Sequence, residues 1–262
     1  CAISLGTYLV IAKNTDKKLR FECLNFPETA ELHLQTSYAK TGKEWFNYPL
    51  GAIHQLLQND HAISGLDMLF YGDLPIGAGL SSSASIEVLT AFAISELFQL
   101  NISNTDIALL GKKVENEFIG LNSGIMDQFA VAMGRHDRAI LLDCDTLEFE
   151  YLPFEIGDYV LAIINSNKKR ELADSKYNER FAECGAALKL LKKEITATHL
   201  CDIDIDTFRT HRYLINDPIL EKRALHVITE NERVKQARET LLSGDLNKFG
   251  QLMYASHQSL QE

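Results

Sequence analysis

The sequence lacks a basic excess and lacks a long apolar run. It has 26 Lys and Arg against 36 Asp and Glu, which gives a formal net charge of −10. Nucleic-acid binding needs a basic face, so no nucleic-acid partner is expected. The best candidate for a membrane span, residues 88–93, is short and is followed by Glu96. A span needs roughly 18 apolar residues, so no membrane partner is expected either.

Cysteine is scarce and irregularly spaced. The chain has five cysteines, an odd number, and no two of them stand at CxxC spacing. This pattern argues against structural zinc and against a disulfide framework. Because free thiols suit a reducing compartment, we expect a cytoplasmic protein. We also expect it to be a monomer.

Periodic patterns predict an α+β protein that becomes almost wholly helical near residue 175. We place the domain boundary so that the two domains are residues 1–155 and 156–262. The predicted strands are 7–12, 19–24, 65–74, 138–143 and 159–165, with residues 14–17 as a hairpin turn between the first two. The first predicted helix is 44–59, and its apolar face is formed by Leu50, Ile53, Leu56 and Leu57. The other predicted helices are a segment from about 85 to 98, one that begins at Ser103, 125–134, 175–195, 204–213, 218–242 and 245–261.

The most informative segment is PIGAGLSSSAS, residues 75–85, between a predicted strand and a predicted helix. Gly77 and Gly79 allow left-handed backbone and close approach to a ligand. The serines fall at the start of the helix, where free N–H groups and the helix dipole attract an anion. The string is neither GxxxxGK[ST] nor GxGxxG. The serine triplet alone fits an ordinary capped turn equally well.

Two carboxylates suit phosphoryl transfer, which needs a metal clamp and a group that accepts a hydroxyl proton. Glu115 lies in the last turns of one predicted helix, and Asp127 lies in the first turn of the next. A helix N-terminus favours a negative side chain, so Asp127 also fits an ordinary structural role. On spacing alone, that ordinary role is the simpler interpretation.

These segments resemble GHMP kinases. The string at 75–85 resembles the second, nucleotide-binding motif of these kinases, and its triple serine with Ser85 resembles the galactokinase family. Residues 115–128, ENEFIGLNSGIMDQ, are similar to the catalytic segment of that family. The resemblance implies Asp127 as catalytic base and Ser83 with Glu115 as ligands of Mg²⁺. It also implies that ATP phosphates are bound by Gly77, Ala78, Gly79, Leu80, Ser81, Ser82 and Ser83.

Further site residues follow from the same resemblance. Tyr177, in SKYNER, is assigned to the sugar, and Gly124 is assigned a backbone contact to it. Trp45 and Tyr48 would line the adenine pocket. For all three aromatic residues the alternative is plain core packing. Two histidines, His226 and His257, also stand in matching segments, but they lack HxxxH spacing and are interpreted as structural.

The resemblance implies an N-terminal domain like ribosomal protein S5 domain 2, and a mostly helical C-terminal domain of the ferredoxin-like type. It implies ATP-dependent phosphorylation of galactose at the C1 hydroxyl, the first step of the Leloir pathway, with Mg²⁺ as cofactor. Three alternatives stay open: a related kinase for N-acetylgalactosamine, a catalytically silent sensor that binds ATP and galactose, and a fragment with no function of its own.

Two motifs of the family are not found in the sequence. One is the first motif, which carries the transition-state arginine and several sugar contacts, and the other is the last glycine-rich motif. The chain opens in a strand pattern and stops in a helical pattern. We therefore expect a chain truncated at both ends, with both domains incomplete. Without the arginine the transferring phosphoryl group is less stabilised, so we expect little or no activity from this chain alone.

Overall fold

The structure is a computed structural model that describes residues 1–75, 78–165 and 173–261. Its strands are β1 Thr7–Asn14, β2 Lys18–Cys23, β3 Phe26–His33, β4 Gly65–Gly72, β5 Arg138–Leu142 and β6 Phe149–Pro153. Its α-helices are α1 Asn47–Gln58, α2 Ser82–Phe98, α3 Asn104–Lys113, α4 Met126–Met133, α5 Ala173–Leu191, α6 Ile205–His211, α7 Pro218–Ser243 and α8 Leu246–Gln261. A π-helix, Val114–Ile119, continues α3. The predicted α+β class is confirmed.

The four-stranded sheet has the order β1-β4-β2-β3. β4 is antiparallel to β1 and parallel to β2, and β2 is antiparallel to β3. The two inner strands carry fully buried side chains, among them Leu19, Phe21 and Leu66, whereas β1 and β3 have none. This burial is expected because an edge strand has a neighbour on one side only.

The predicted hairpin between the first two strands is wrong, because β4 lies between β1 and β2. Residues 15–17 instead carry the chain across the start of β4. Gly65 allows this crossing: a Cβ there would lie 1.9 Å from Asn14 Oδ1 and 2.9 Å from the Lys18 backbone nitrogen. The chain does reverse direction at residues 14–17, as predicted. The two strands on either side of this turn are not paired with each other.

The core of this region lies between the sheet and helices α1 to α3. In α1 the predicted apolar face is confirmed, since Leu50, Ile53 and Leu56 are at most 1% exposed. Two helix ends also follow the sequence. α2 ends at Phe98, and Ser103 caps α3 by accepting a hydrogen bond from the Asp106 backbone N–H.

The predicted strand at 159–165 is wrong. These residues form no strand in the structure, and Val160 and Ile164 are about 90% and 89% exposed. An apolar run becomes a strand only where a neighbour supplies its backbone hydrogen bonds, and no described strand does so here. The sequence patterns also missed β3 and β6; β6 pairs with β5 as a separate two-stranded sheet.

The chain divides into two compact units, residues 1–150 with 163–169, and residues 151–162 with 170–262. The second unit has its own core from α5, α6 and α7, which includes Ala187, Leu191, Phe208 and Ile228. α8 packs on α7, where His226 Nδ1 lies 2.8 Å from Ser259 Oγ. In the part of the chain that the structure describes, none of the helices combines the length and apolarity required to cross a membrane.

Candidate nucleotide and catalytic site

The glycine–serine loop enters α2 through two left-handed residues. Gly79 has a φ of 79° and Ser81, the N-cap of α2, has a φ of 54°. The Ser81 side chain accepts no hydrogen bond from the helix. The first-turn N–H groups of α2 are therefore not capped by this serine, which leaves them available to an anion. Gly77 was also predicted to bind phosphate, but it lies outside the described residues.

Ser83 joins this loop to the π-helix. Its Oγ donates a 2.8 Å hydrogen bond to Glu115 Oε1, across 32 residues of sequence. Glu115 is only 7% exposed. The structure thus brings together the two residues that were predicted to hold the metal. Short π-helical segments are frequent at functional sites, because they change the direction of side chains along a helix.

The π-helix is fixed on two sides. On one side it packs closely on α1, since a Cβ at Gly51 would lie 2.6 Å from Val114 Cγ1. On the other side Asn116 Oδ1 accepts hydrogen bonds from the Ser123 backbone N–H at 3.0 Å and from its Oγ at 3.2 Å. Asn116 therefore orders the loop that leads into α4. Sequence patterns gave no sign of this role.

Asp127 lies in the first turn of α4 and is exposed. Its carboxylate makes no hydrogen bond to any residue that the structure describes, which leaves it available to a substrate. The next two residues, Gln128 and Phe129, point to the opposite side of α4 and are 0% exposed. α4 thus holds its buried side against α2 and α3 while it exposes the predicted base.

A buried carboxyl group that the sequence did not single out lies under this site. Glu87, one turn after Ser83 on α2, is 0% exposed. Burial raises its pKa well above the usual value, and the negative charge of Glu115 raises it further. The nearby amide of Gln128 opposes this rise, although the two side chains do not make a hydrogen bond of normal geometry.

The remaining predicted contacts are less constrained. Trp45 precedes α1, is half-buried, and donates its indole N–H to the Glu28 carbonyl oxygen at 2.8 Å. It also stacks on Phe26, so part of its role is core packing. Tyr48, in the first turn of α1, is half-buried. Gly124 is exposed, and a Cβ there would meet open space.

Tyr177 belongs to the second unit, in α5, and its side chain is 51% exposed. This exposure does not fit the core-packing alternative. His226 and His257 each have a partner in the same unit: Ser259 lies against the first, and Gln261 lies 2.9 Å from the second. The structural interpretation of both histidines fits these contacts.

The residues at the start of α2 suit Mg²⁺. Ser83 and Glu115 offer a hydroxyl and a carboxylate oxygen, which are hard donors of the kind this ion prefers. Within the described ranges, no three residues among His, Cys, Asp and Glu gather into a metal-binding group. Mg²⁺ in phosphoryl-transfer sites takes one or two protein ligands and completes its shell with phosphate oxygens and water, so this small set fits.

Comparison with known families defines the class of protein. A family model described as GHMP kinases N terminal domain matches residues 47–135. The matched segment runs from α1 through α4 and contains the glycine–serine loop, Glu115 and Asp127. The class is therefore that of the GHMP kinases.

Closer relatives resolve the family within this class. A galactokinase of Enterococcus faecalis is 50% identical, and the match covers 100% of this chain and 68% of that protein. A galactokinase of Staphylococcus carnosus is 49% identical, over 99% of this chain and 68% of the relative. The crystal structure of Lactococcus lactis galactokinase complexed with galactose has a TM-score of 0.95 at 41% identity, over 99% of this chain and 68% of the other. This chain belongs to the galactokinase family.

Proposed function

We propose that this chain carries the nucleotide loop and the catalytic base of a kinase that transfers the γ-phosphoryl group of ATP to the C1 hydroxyl of galactose. The products are galactose 1-phosphate and ADP. The observation that carries the proposal is the Ser83–Glu115 hydrogen bond at the uncapped start of α2. It joins a phosphate-attracting helix end to a carboxylate suited to Mg²⁺.

Each predicted residue of the phosphate and catalytic site then has a chemical role. The loop from Ala78 to Ser83 binds the phosphates through backbone N–H groups and serine hydroxyls. Ser83 and Glu115 would hold Mg²⁺, which would supply positive charge to neutralise the phosphates. The exposed carboxylate of Asp127 accepts the proton of the C1 hydroxyl as that oxygen attacks phosphorus.

The sugar and the base of the nucleotide are assigned to the other predicted residues. Tyr177 and the backbone of Gly124 contact galactose, and both are exposed. Trp45 and Tyr48 line the adenine pocket. Because the Trp45 N–H is already bonded to a backbone carbonyl, its contribution to adenine binding is through the ring face.

A coupled assay of ADP release with a panel of sugars tests this function. We expect ADP release that depends on galactose and Mg²⁺ when this chain is joined to the two family motifs absent from its sequence, little release with N-acetylgalactosamine, and little or no release from this chain alone. A preference for N-acetylgalactosamine would mean that this sugar, and not galactose, is the substrate. Calorimetric binding of Mg²⁺–ADP and galactose is measured on the same sample. Binding of both without turnover is the result expected of a sugar sensor, and binding of neither would refute the proposal.

The proposal includes a cytoplasmic monomer. All five cysteines are free thiols in the structure, which suits a reducing compartment. Light scattering coupled to size-exclusion chromatography checks the monomer against the chain mass of 29.5 kDa.

A further inference from the structure

Four polar atoms lie buried without hydrogen-bond partners between α2 and α4. They are the two carboxyl oxygens of Glu87 and the amide oxygen and nitrogen of Gln128, within the described residues. Both side chains are 0% exposed. A buried polar group without a partner destabilises the folded state, so two such groups on neighbouring helices need an explanation.

The Gln128 side chain passes close to the part of α2 that carries Glu87. Gln128 leaves α4 and passes α3 at Gly111, where a Cβ would lie 2.9 Å from Gln128 Cγ. The same Cβ would lie 3.6 Å from Cγ2 of Val88, the neighbour of Glu87 on α2. The absence of a side chain at Gly111 therefore lets Gln128 pass between α3 and α2, and α4 is in contact with α2. Gln128 also lowers the pKa of Glu87, against the larger effect of burial.

The chemistry of the two groups is complementary. A carboxylic acid has one donor and one acceptor, and so does the exposed edge of a primary amide. The two can pair through two hydrogen bonds after a small side-chain adjustment. Such a pair satisfies all four atoms and requires no water. Fully satisfied buried pairs fix one arrangement of the elements that carry them.

The elements joined in this way carry the two halves of the site. Glu87 is one helical turn after Ser83, on the same side of α2. Gln128 directly follows Asp127 in α4. A contact between the two buried side chains therefore sets the position of the α4 N-terminus relative to the phosphate loop.

We propose that Glu87 and Gln128 are positioning residues that form a buried pair, hold α4 against α2, and so place Asp127 to accept the proton of the sugar hydroxyl. This inference rests on the proposed function for its catalytic part. Its structural part, the pair itself, stands independently of that function.

The test uses four variants of the full chain. Glu87→Met and Gln128→Met keep the side-chain volume and remove the pair, whereas Glu87→Gln keeps both a donor and an acceptor. Glu96→Met is the matched control, because Glu96 is exposed on the same helix. Circular dichroism and thermal melting confirm that each variant folds. Gly111→Ala, which displaces Gln128 without changing either partner, serves if a methionine variant does not fold.

Hydrogen exchange tests the pair without reference to activity. We expect faster exchange of the α4 amides in Glu87→Met and in Gln128→Met, and wild-type exchange in Glu87→Gln and Glu96→Met. The double variant Glu87→Met/Gln128→Met exchanges no faster than either single variant, because both remove one interaction. Unchanged exchange in α4 in both methionine variants overturns the pair.

Kinetics test the positioning role in this chain joined to the two family motifs absent from its sequence. We expect kcat to fall about 10- to 100-fold in the two methionine variants, since small misplacement of a catalytic group costs that much. KM for ATP stays within about threefold, and Glu87→Gln restores kcat. Wild-type kcat in folded methionine variants overturns the positioning role. If the chain joined to those two motifs shows no galactose-dependent turnover without any substitution, the proposed function fails, and hydrogen exchange still decides the pair.

Discussion

Ser83 Oγ donates a 2.8 Å hydrogen bond to Glu115 Oε1, which fixes the start of α2 against the π-helix. The loop residues and the carboxylate come from segments more than 30 residues apart, and this bond is the direct link between them. The bond also shows why one serine of the triplet differs from its neighbours. Only Ser83 combines a place in the first turn of α2 with a carboxylate partner in the described structure.

Ser83→Ala and Glu115→Gln are each expected to weaken Mg²⁺–ADP binding about tenfold or more, because the first removes a hydroxyl ligand and the second removes the negative charge of a carboxylate ligand. The double variant should bind Mg²⁺–ADP only slightly less tightly than the single variant with the lower affinity, because the two residues act as a unit. The measurement is the rise in melting temperature with Mg²⁺–ADP, which follows affinity. Glu96→Gln, exposed on the same helix, is the control. A wild-type rise in Ser83→Ala would contradict the assignment.

Gly65→Ala should destabilise the first unit by about 1–3 kcal/mol, the usual cost of forcing extra volume into a packed site. The added methyl group would collide with Asn14 and with the Lys18 backbone, where the chain crosses the start of β4. Urea unfolding measures the change. Gly6→Ala is the matched control, because a Cβ at Gly6 has no neighbour within 4 Å. Equal stability of the two variants would refute the crossing as a close contact.

The sequence predicts the helices well because each carries its own local signals. The apolar face of α1 and the Ser103 cap of α3 are examples, and both are confirmed. Strand pairing is different, since alternation shows which face of a strand is buried but not which strand lies beside it. This is why the chain reversal at 14–17 was mistaken for a hairpin, and why the apolar run at 159–165 was mistaken for a strand.

In the candidate site, too, some residues were assigned from the sequence and one was missed. The loop, Glu115 and Asp127 were assigned from the resemblance of two short segments to the galactokinase family, since spacing alone fits an ordinary capped turn and an ordinary first-turn aspartate. Glu87 was missed because it stands in an apolar helix, where a single acidic residue has the pattern of a solvent-exposed position. Its burial results from α3 and α4 packing on α2, which only the folded chain reveals.

The second unit should lose stability on mild acidification because of His226. Burial lowers the pKa of this histidine, as do the charges of Arg233 and Arg223, while Glu230 opposes them. The folded state therefore binds fewer protons than the unfolded state below the ordinary pKa of about 6.5. The free energy of unfolding of the second unit therefore rises as the pH rises past the pKa of His226, and it falls as the pH falls.

His226→Gln removes this titration and keeps a polar group near Ser259. Thermal melting of both proteins from pH 5 to pH 8 measures the effect. We expect the melting temperature of the wild type, relative to the variant, to fall as the pH goes from 7 to 5. His54, whose pKa burial also lowers, is present in both proteins and cancels in the difference. A difference that does not change with pH would refute this role of His226.

In the proposed reaction, Asp127 takes the proton of the sugar hydroxyl beside the phosphate loop. The most direct measurement is galactose-dependent ADP release at saturating Mg²⁺–ATP by this chain joined to the two family motifs absent from its sequence, with Asp127 retained or replaced in Asp127→Asn. We predict that kcat falls by about 10²- to 10⁴-fold, the usual contribution of a general base. The melting temperature and Mg²⁺–ADP affinity should stay unchanged, because the side chain is exposed. Turnover near the wild-type rate would contradict the account.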